Sequence, residues 1–280
     1  MIINRRNIML ASAGILAFPA TAQSSAINGA GATFPAPLYF KWTEEYRNKT
    51  GRMVNYQSIG SGAGINQIRA GTVDFGASDM PLDPVPANLH QFPTVEGEVV
   101  LIYNLPNRPS FKTTIEMASR IYSGEIKMWN EVDRSLPRLP IVPIYRADGS
   151  GTTFIWTRAM RDHGRWSDVG TSVRWPTGQG ARGNEGVAAT IARVRGSVGY
   201  VEYIYAKNNN IQHAELDRNV RARTFILVPK PPKTAETHSE ITRFWEWCFT
   251  EGRQIAADMN YHPLPVSEYA EIIRELRSLT

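Results

Sequence analysis

Arg146-Ala147-Asp148-Gly149-Ser150-Gly151-Thr152-Thr153-Phe154 is the stretch on which the chain turns. It follows a strand-like run, Ile141-Val142-Pro143-Ile144-Tyr145, and leads into a helical pattern from Phe154 to Met160. Its small residues therefore sit where a strand hands over to a helix N-terminus. Unpaired backbone N–H groups gather at such a point and the helix dipole is positive there. Ser150 and Thr152 add hydroxyl donors, and Arg146 adds a fixed charge on a planar donor fork, so the stretch is suited to an anion. The competing reading is an ordinary capped turn beside a surface arginine.

Earlier in the chain the same arrangement recurs. Gly29-Ala30-Gly31-Ala32-Thr33-Phe34-Pro35 opens a helical pattern carried by Leu38, Phe40, Trp42 and Tyr46 and stopped at Gly51. Thr33 suits its N-cap and Pro35 its first turn. The strand-like Met53–Ser58 leads through Gly60-Ser61-Gly62 into a short helix from Ile65 to Ala70. A third small-residue turn, Val73-Asp74-Phe75-Gly76-Ala77-Ser78-Asp79, ends a short strand on a carboxylate. If the turns converge, they make a cradle of neutral donors charged by Arg146. Asp79 would repel an anion placed there unless the anion carries a proton that the carboxylate accepts. Phosphate near neutral pH carries one and sulfate does not. The alternatives are three unrelated capped turns and a capping Asp79.

The rest of the chain reads as an αβ series. Pro81 to Pro93 is a proline-broken loop, Val99–Asn104 a buried strand, and Thr114–Tyr122 a helix. Val173–Trp175 is a short strand, Gly178–Gly183 a loop, Asn184–Arg195 a helix and Val198–Tyr203 a strand that returns. Thr224–Pro229 is another apolar strand, followed by helices near Ser239–Thr250 and Val266–Leu279. Two such series predict two α/β lobes.

Of the 280 residues 42% are hydrophobic and 20% charged, a globular composition. Residues 1–22 have the form of a cleaved export signal: Arg5-Arg6, an apolar run from Ile8 to Phe18, then Ala20-Thr21-Ala22. That run is too short to span a bilayer as a helix. The paired arginines leave the Sec and twin-arginine routes both open. Those 22 residues hold two basic groups and no acid, so cleavage takes the formal charge from +5 to +3. So mild a charge, on dispersed Lys and Arg, argues against nucleic acid as a partner. Cys248 is the single cysteine, so no internal disulfide forms, and there is no lipid-attachment cysteine at the end of the signal. The five histidines have no metal-ligand spacing. Gly178-Gln179-Gly180-Ala181-Arg182-Gly183 has dinucleotide-fingerprint spacing, but the segment before it is short, poorly apolar and contains Pro176. There is no phosphate loop ending in Gly-Lys-Ser or Gly-Lys-Thr and no Gly-x-Ser-x-Gly elbow.

Taken together, the segments Gly29–Pro37, Gly60–Gly62, Val73–Asp79, Arg146–Thr152 and Val198–Tyr203, in this order, resemble the periplasmic phosphate-binding proteins of high-affinity phosphate ABC transporters, of the type II periplasmic binding protein family. The resemblance implies an α/β, two-lobed fold, each lobe a mixed sheet flanked by helices with a hinge between. It assigns residues 23–103 and 204–280 to lobe 1 and 104–203 to lobe 2. It implies a soluble periplasmic monomer that needs no cofactor or metal, closes on protonated inorganic phosphate and delivers it to an inner-membrane permease. Matched motif by motif, Thr33 and Phe34 would bind through backbone N–H, Ser61 through hydroxyl and N–H, and Arg146 through its charged fork. Asp79 would accept the phosphate's proton, Ser150, Gly151 and Thr152 would complete the cradle, and Asp148 would hold the Arg146 fork.

Two features depart from the family's pattern. Many relatives have Ser-Ser where Ser61-Gly62 stands, and relatives carry a long insertion where only a short link joins Ala206 to Thr224. The first removes a hydroxyl, of order 1 kcal/mol per neutral hydrogen bond. Two rivals remain. One is a binder of another oxyanion, where Asp79 argues against sulfate and molybdate but not against arsenate. The other is an exported phosphate-ester hydrolase with Ser150 as nucleophile, for which no base or metal set is recognisable.

Overall fold

Glycine and small residues let the first strand, β1 (Ile27–Gly31), lie buried in the middle of its neighbours. The structure, a computed structural model, describes residues 26–107 and 110–279; the export signal read in residues 1–22 lies outside them. Ala32–Pro35 turn the chain into α1 (Ala36–Thr50), which buries Leu38, Tyr39, Trp42 and Tyr46 at helical spacing. Gly51 ends it in the left-handed conformation, φ 72°, its N–H closing on the Arg47 carbonyl. Then follow β2 (Val54–Ser58), α2 (Ser61–Arg69), β3 (Phe75–Ser78) and a long β4 (Leu89–Tyr103). The short β5 (Lys112–Thr113) precedes α3 (Ile115–Tyr122), capped by the Thr114 hydroxyl, and α4 (Trp129–Val132). After β6 (Val142–Arg146) come α5 (Gly151–His163), β7 (Gln179–Ala181), α6 (Gly183–Arg193), β8 (Ser197–Glu202) and α7 (Tyr203–Asn208). The chain closes with β9 (Glu215–Leu216), β10 (Val220–Pro229), α8 (Ala235–Phe249), α9 (Arg253–Asp258), β11 (His262–Pro263) and α10 (Val266–Ser278).

The strands form one mixed sheet in the order β2-β1-β3-β10-β4-β8-β6-β7, with β11 also on β4, while β5 and β9 pair separately. β1 runs parallel to β2 and β3, and β6 runs parallel to β7 and β8. The antiparallel β10 and β4 stand between these two groups. β4 is shared: Leu89–Val99 pair with β10, and Val99–Tyr103 pair with β8. Parallel strands followed by helices present their carboxyl ends and the helix N-termini on one edge, where α/β proteins bind ligands. On one side of the sheet Tyr39, Trp42, Phe75, Phe244 and Trp245 pack ring on ring.

Several sequence readings are corrected. The proline-broken loop ends sooner than expected, because β4 begins at Leu89 and runs through Pro93. Proline is tolerated there because the ladder with β10 shifts register beside it: Thr224 faces Val95 but Phe225 faces Pro93, so Thr94 is an extra, bulged residue. Val173–Trp175 is not a strand. The edge of β6 is taken by β7, which lies within the supposed Gly178–Gly183 loop, and Trp175 instead stacks on Tyr145 and packs at a tilt against Tyr200. α2 begins at Ser61, α5 at Gly151 and β10 at Val220, each earlier than the apolar periodicity indicates. The N-cap of α1 is Pro35 and not Thr33, whose hydroxyl is used elsewhere.

Candidate functional site

Arg146 ends β6 and is only 4% exposed. A buried guanidinium needs partners, and Asp148, two residues on, supplies a bidentate one: Nε donates to Oδ1 at 2.8 Å and Nη2 to Oδ2 at 2.5 Å. Burial acts to raise the Asp148 pKa, but the hydrogen bond and charge of Arg146 overcome it, helped by the Gly183 N–H at 3.2 Å, and hold the carboxyl below its usual range. The fork's remaining nitrogen, Nη1, donates to Thr33 Oγ1 at 3.1 Å, joining the β6 turn to the β1 turn.

Ser150 is the N-cap of α5, its hydroxyl accepting the Thr153 N–H at 3.0 Å. Ser61 is the first residue of α2 and Gly151 and Thr152 the first two of α5, so each N–H lies where a helix start leaves donors without intrahelical partners. The two helix starts meet. Gly151 N–H donates to Ser61 Oγ at 3.1 Å, as does Asp79 N–H at 3.2 Å, and Gly62 N–H donates to the Gly149 carbonyl at 2.9 Å. The approach demands glycine: a Cβ on Gly151 would stand 2.5 Å from Asp79 Cβ, Asp79 Oδ2 and Ser61 Oγ. Gly60, at φ 92°, likewise has no room for a side chain beside Asp148 and the Gly149 carbonyl.

Asp79 follows β3 and is 2% exposed. Oδ1 accepts from Thr224 Oγ1 at 2.7 Å and Oδ2 lies 3.4 Å from Ser61 Oγ. Burial pushes its pKa from 3.8 up to about 7, against the pull of Thr224, the Arg146 charge and Ser61. The site thus pairs a permanent cation with a carboxyl that titrates near neutrality.

Hydrogen bonds tie Ser61, Asp79 and Gly151 into one cluster, and Asp79 also feels the charge of Arg146, which with Thr33 and Asp148 forms a second. Thr152 joins it through Asn184, which lies at the start of α6 and whose Nδ2 donates to Thr33 Oγ1 at 2.7 Å and Thr152 Oγ1 at 3.1 Å. Phe34 is held by its carbonyl, which accepts from Tyr261 Oη at 2.8 Å, and the Thr33 carbonyl accepts from Tyr205 Oη at 2.6 Å. The Ser150 hydroxyl is engaged in its cap. Sequence reasoning missed Asn184, Thr224, Tyr205 and Tyr261. For two of them a signal existed: Asn184 follows the last glycine of a Gly-rich run, and Thr224 is the polar residue ahead of an apolar strand.

Residues 18–240 match the family model described as a PBP superfamily domain. The phosphate-binding protein PstS of Pasteurella multocida is 36% identical, with 93% of this chain and 91% of that protein covered. The chain belongs to the PstS phosphate-binding protein family. PstS of Haemophilus influenzae is 35% identical over 333 aligned positions, covering 99% of this chain and 98% of its own. An alignment longer than the 280 residues here means that this PstS relative carries segments the chain lacks. Among solved structures, a high affinity periplasmic phosphate-binding protein bound with phosphate, PfluDING, superposes with a TM-score of 0.73 at 18% identity, covering 89% of this chain and 93% of that one, a likeness of fold. A Cβ built on Gly62 would stand 3.1 Å from Gly149 Cα, so the position is closely packed against the β6 turn.

Proposed function

We propose that the chain is a periplasmic receptor that binds inorganic phosphate and delivers it to an ABC-type import permease. The carrying observation is a buried Asp79 carboxyl that feels the charge of buried Arg146, with the hydroxyls of Ser61 beside the one and of Thr33 beside the other. Arg146, held by Asp148, supplies a fixed positive charge that suits an anion. Asp79, ionised above its pKa of about 7, requires that the anion bring a proton, and the monohydrogen phosphate dianion does so. Thr33, Phe34, Ser61, Ser150, Gly151 and Thr152 supply hydroxyl and backbone donors, and Asp148 aims the Arg146 fork.

The residues divide into lobe 1, 23–103 with 204–280, and lobe 2, 104–203, closing about a hinge. Supporting this division, β4 serves both halves of the sheet, the chain passes from β8 into α7 at residues 202–203, and the site is stitched by bonds between the two sets: Arg146 to Thr33, Gly151 to Ser61 and Gly62 to Gly149. Ligand-driven closure of that kind shifts a two-state balance. Export by residues 1–22 agrees with the periplasmic setting of PfluDING. The hydrolase reading loses its footing because the chain belongs to the PstS phosphate-binding proteins, which are transporter components.

Intrinsic tryptophan fluorescence of the purified protein, titrated with phosphate, arsenate and sulfate at pH 8, tests the proposal. Saturation by phosphate well below any sulfate response is expected. Sulfate saturating at an equal or lower concentration would overturn it.

A further inference from the structure

The turn that offers the Thr33 and Phe34 N–H groups is held from behind. A peptide unit is planar, so a bond to the Thr33 carbonyl fixes where the Phe34 N–H points, on the opposite side of the same plane. Tyr205 makes that bond, and Tyr261 fixes the next plane through the Phe34 carbonyl, so both planes that flank Phe34 Cα are pinned.

Behind Tyr261 stands Glu202, 1% exposed, the last residue of β8 and the N-cap of α7. Its Oε2 accepts the Ile204 N–H at 2.9 Å and lies 3.3 Å from Tyr261 Oη, and its backbone N–H donates to Asn184 Oδ1 at 3.0 Å. Its Oε1 is buried without a hydrogen-bond partner. A Cβ built on Gly97 would come within 2.5 Å of Phe34 Cζ and 3.4 Å of that oxygen, which places it in apolar company.

A phenol has one hydrogen. The Phe34 carbonyl can only accept and is the nearer oxygen, so the Tyr261 hydrogen belongs to it. Tyr261 Oη then meets Glu202 Oε2 with lone pairs, a repulsive contact if Glu202 is ionised and a hydrogen bond if Glu202 carries a proton. An ionised carboxylate would also leave a charged oxygen, Oε1, buried with no donor, far costlier than an unpaired neutral carbonyl. Burial first, then the like charges of Asp79 and Glu98, push the Glu202 carboxyl well above its usual range, against the pull of Ile204 and Tyr261.

We propose that Glu202 is a neutral carboxylic acid that donates to Tyr261 and, through the chain Glu202 O–H to Tyr261 O–H to Phe34 carbonyl, acts as a positioning residue for anion binding. The same residue begins α7, whose Tyr205 pins Thr33, and it anchors Asn184, which holds Thr33 Oγ1. One residue, through its side chain and its backbone N–H, thus ties the passage from β8 to α7 to the donors of the β1 turn.

This inference rests on the phosphate-binding reading, which titration of the wild-type protein tests by itself: failure there sinks that reading, whereas the variants below bear on Glu202 alone. Phosphate dissociation constants are measured for wild type, Glu202→Gln, Glu202→Met, Tyr261→Phe and the Met/Phe double variant. Gln keeps a neutral charge and a donor for Tyr261, although its nitrogen cannot also accept the Ile204 N–H, so its affinity should fall by no more than about threefold, while Met and Phe each weaken binding about tenfold. The double variant should be no weaker than the weaker single one, because both break the same chain. Glu202→Gln as weak as Glu202→Met, or additive losses in the double variant, overturns the proposal. Should Glu202→Met not fold, infrared spectra decide. Wild type at pH 8 should show the carbonyl stretch of a protonated carboxylic acid that Glu202→Gln lacks, and identical spectra refute the neutral acid.

Discussion

In the proposed site Asp79 is the group that asks the ligand for a proton, and Asp79→Asn removes it. The carboxyl titrates at about 7, so at pH 8 it is about nine-tenths ionised and at pH 6 about nine-tenths protonated. At pH 8 phosphate gives its remaining P–OH to the carboxylate, a charge-assisted bond worth about 1.5–3 kcal/mol, or roughly 10- to 150-fold in affinity. Sulfate has no such proton and leaves the carboxylate facing an oxyanion inside a buried site. The substitution replaces that acceptor with an amide that can turn a donor to either ion, so phosphate should weaken by about 10- to 100-fold while sulfate strengthens, and the preference should fall by at least about 100-fold at pH 8. The wild type should bind sulfate about tenfold more tightly at pH 6 than at pH 8, following the protonated fraction of Asp79, and the variant should show no such change. Calorimetric titration of both proteins with both ions at pH 6 and pH 8 measures all of this. An unchanged preference at pH 8, or wild-type sulfate affinity flat with pH, would refute the role given to Asp79.

Ligand-free stability should report the same carboxyl. Its folded pKa of about 7 lies above the ordinary 3.8, so the folded chain binds more protons than the unfolded one between those values. Its contribution to stability is therefore lost as pH rises from about 4 to about 7, by up to about 4 kcal/mol; melting curves should show wild type falling relative to Asp79→Asn over that range, and parallel curves would contradict it. Arg146→Lys keeps the charge but cannot make the two-pronged bond to Asp148 while reaching Thr33, so phosphate affinity should drop by about 100-fold or more in calorimetry. Gly151→Ala drives a methyl group into Asp79 and Ser61, an overpacking of about 1–3 kcal/mol, so affinity should fall by roughly 5- to 150-fold with the circular dichroism spectrum unchanged.

The alternation of small-residue turns with apolar runs made the α/β class legible, and the residue types in those turns named their chemistry. Boundaries were less legible, because glycine, serine and threonine at the starts of α2 and α5 carry no apolar periodicity although their backbone is helical. Pro93 reads as a strand breaker in isolation and is admitted to β4 only by the bulge that β10 makes with it. The same stretch of ladder carries Thr224, which the chain places far from Asp79 and the sheet places against it.

That hydroxyl donors, an arginine and a carboxyl stand in the turns could be read from the chain alone, since those are properties of side chains and of local sequence. What they become was settled by packing. Burial moves the Asp79 pKa to about 7, and Asn184, Tyr205 and Tyr261 gather around Thr33 and Phe34 from distant parts of the chain. Desolvation and long-range hydrogen bonds depend on which segments are packed together, and no window of neighbouring residues contains that information.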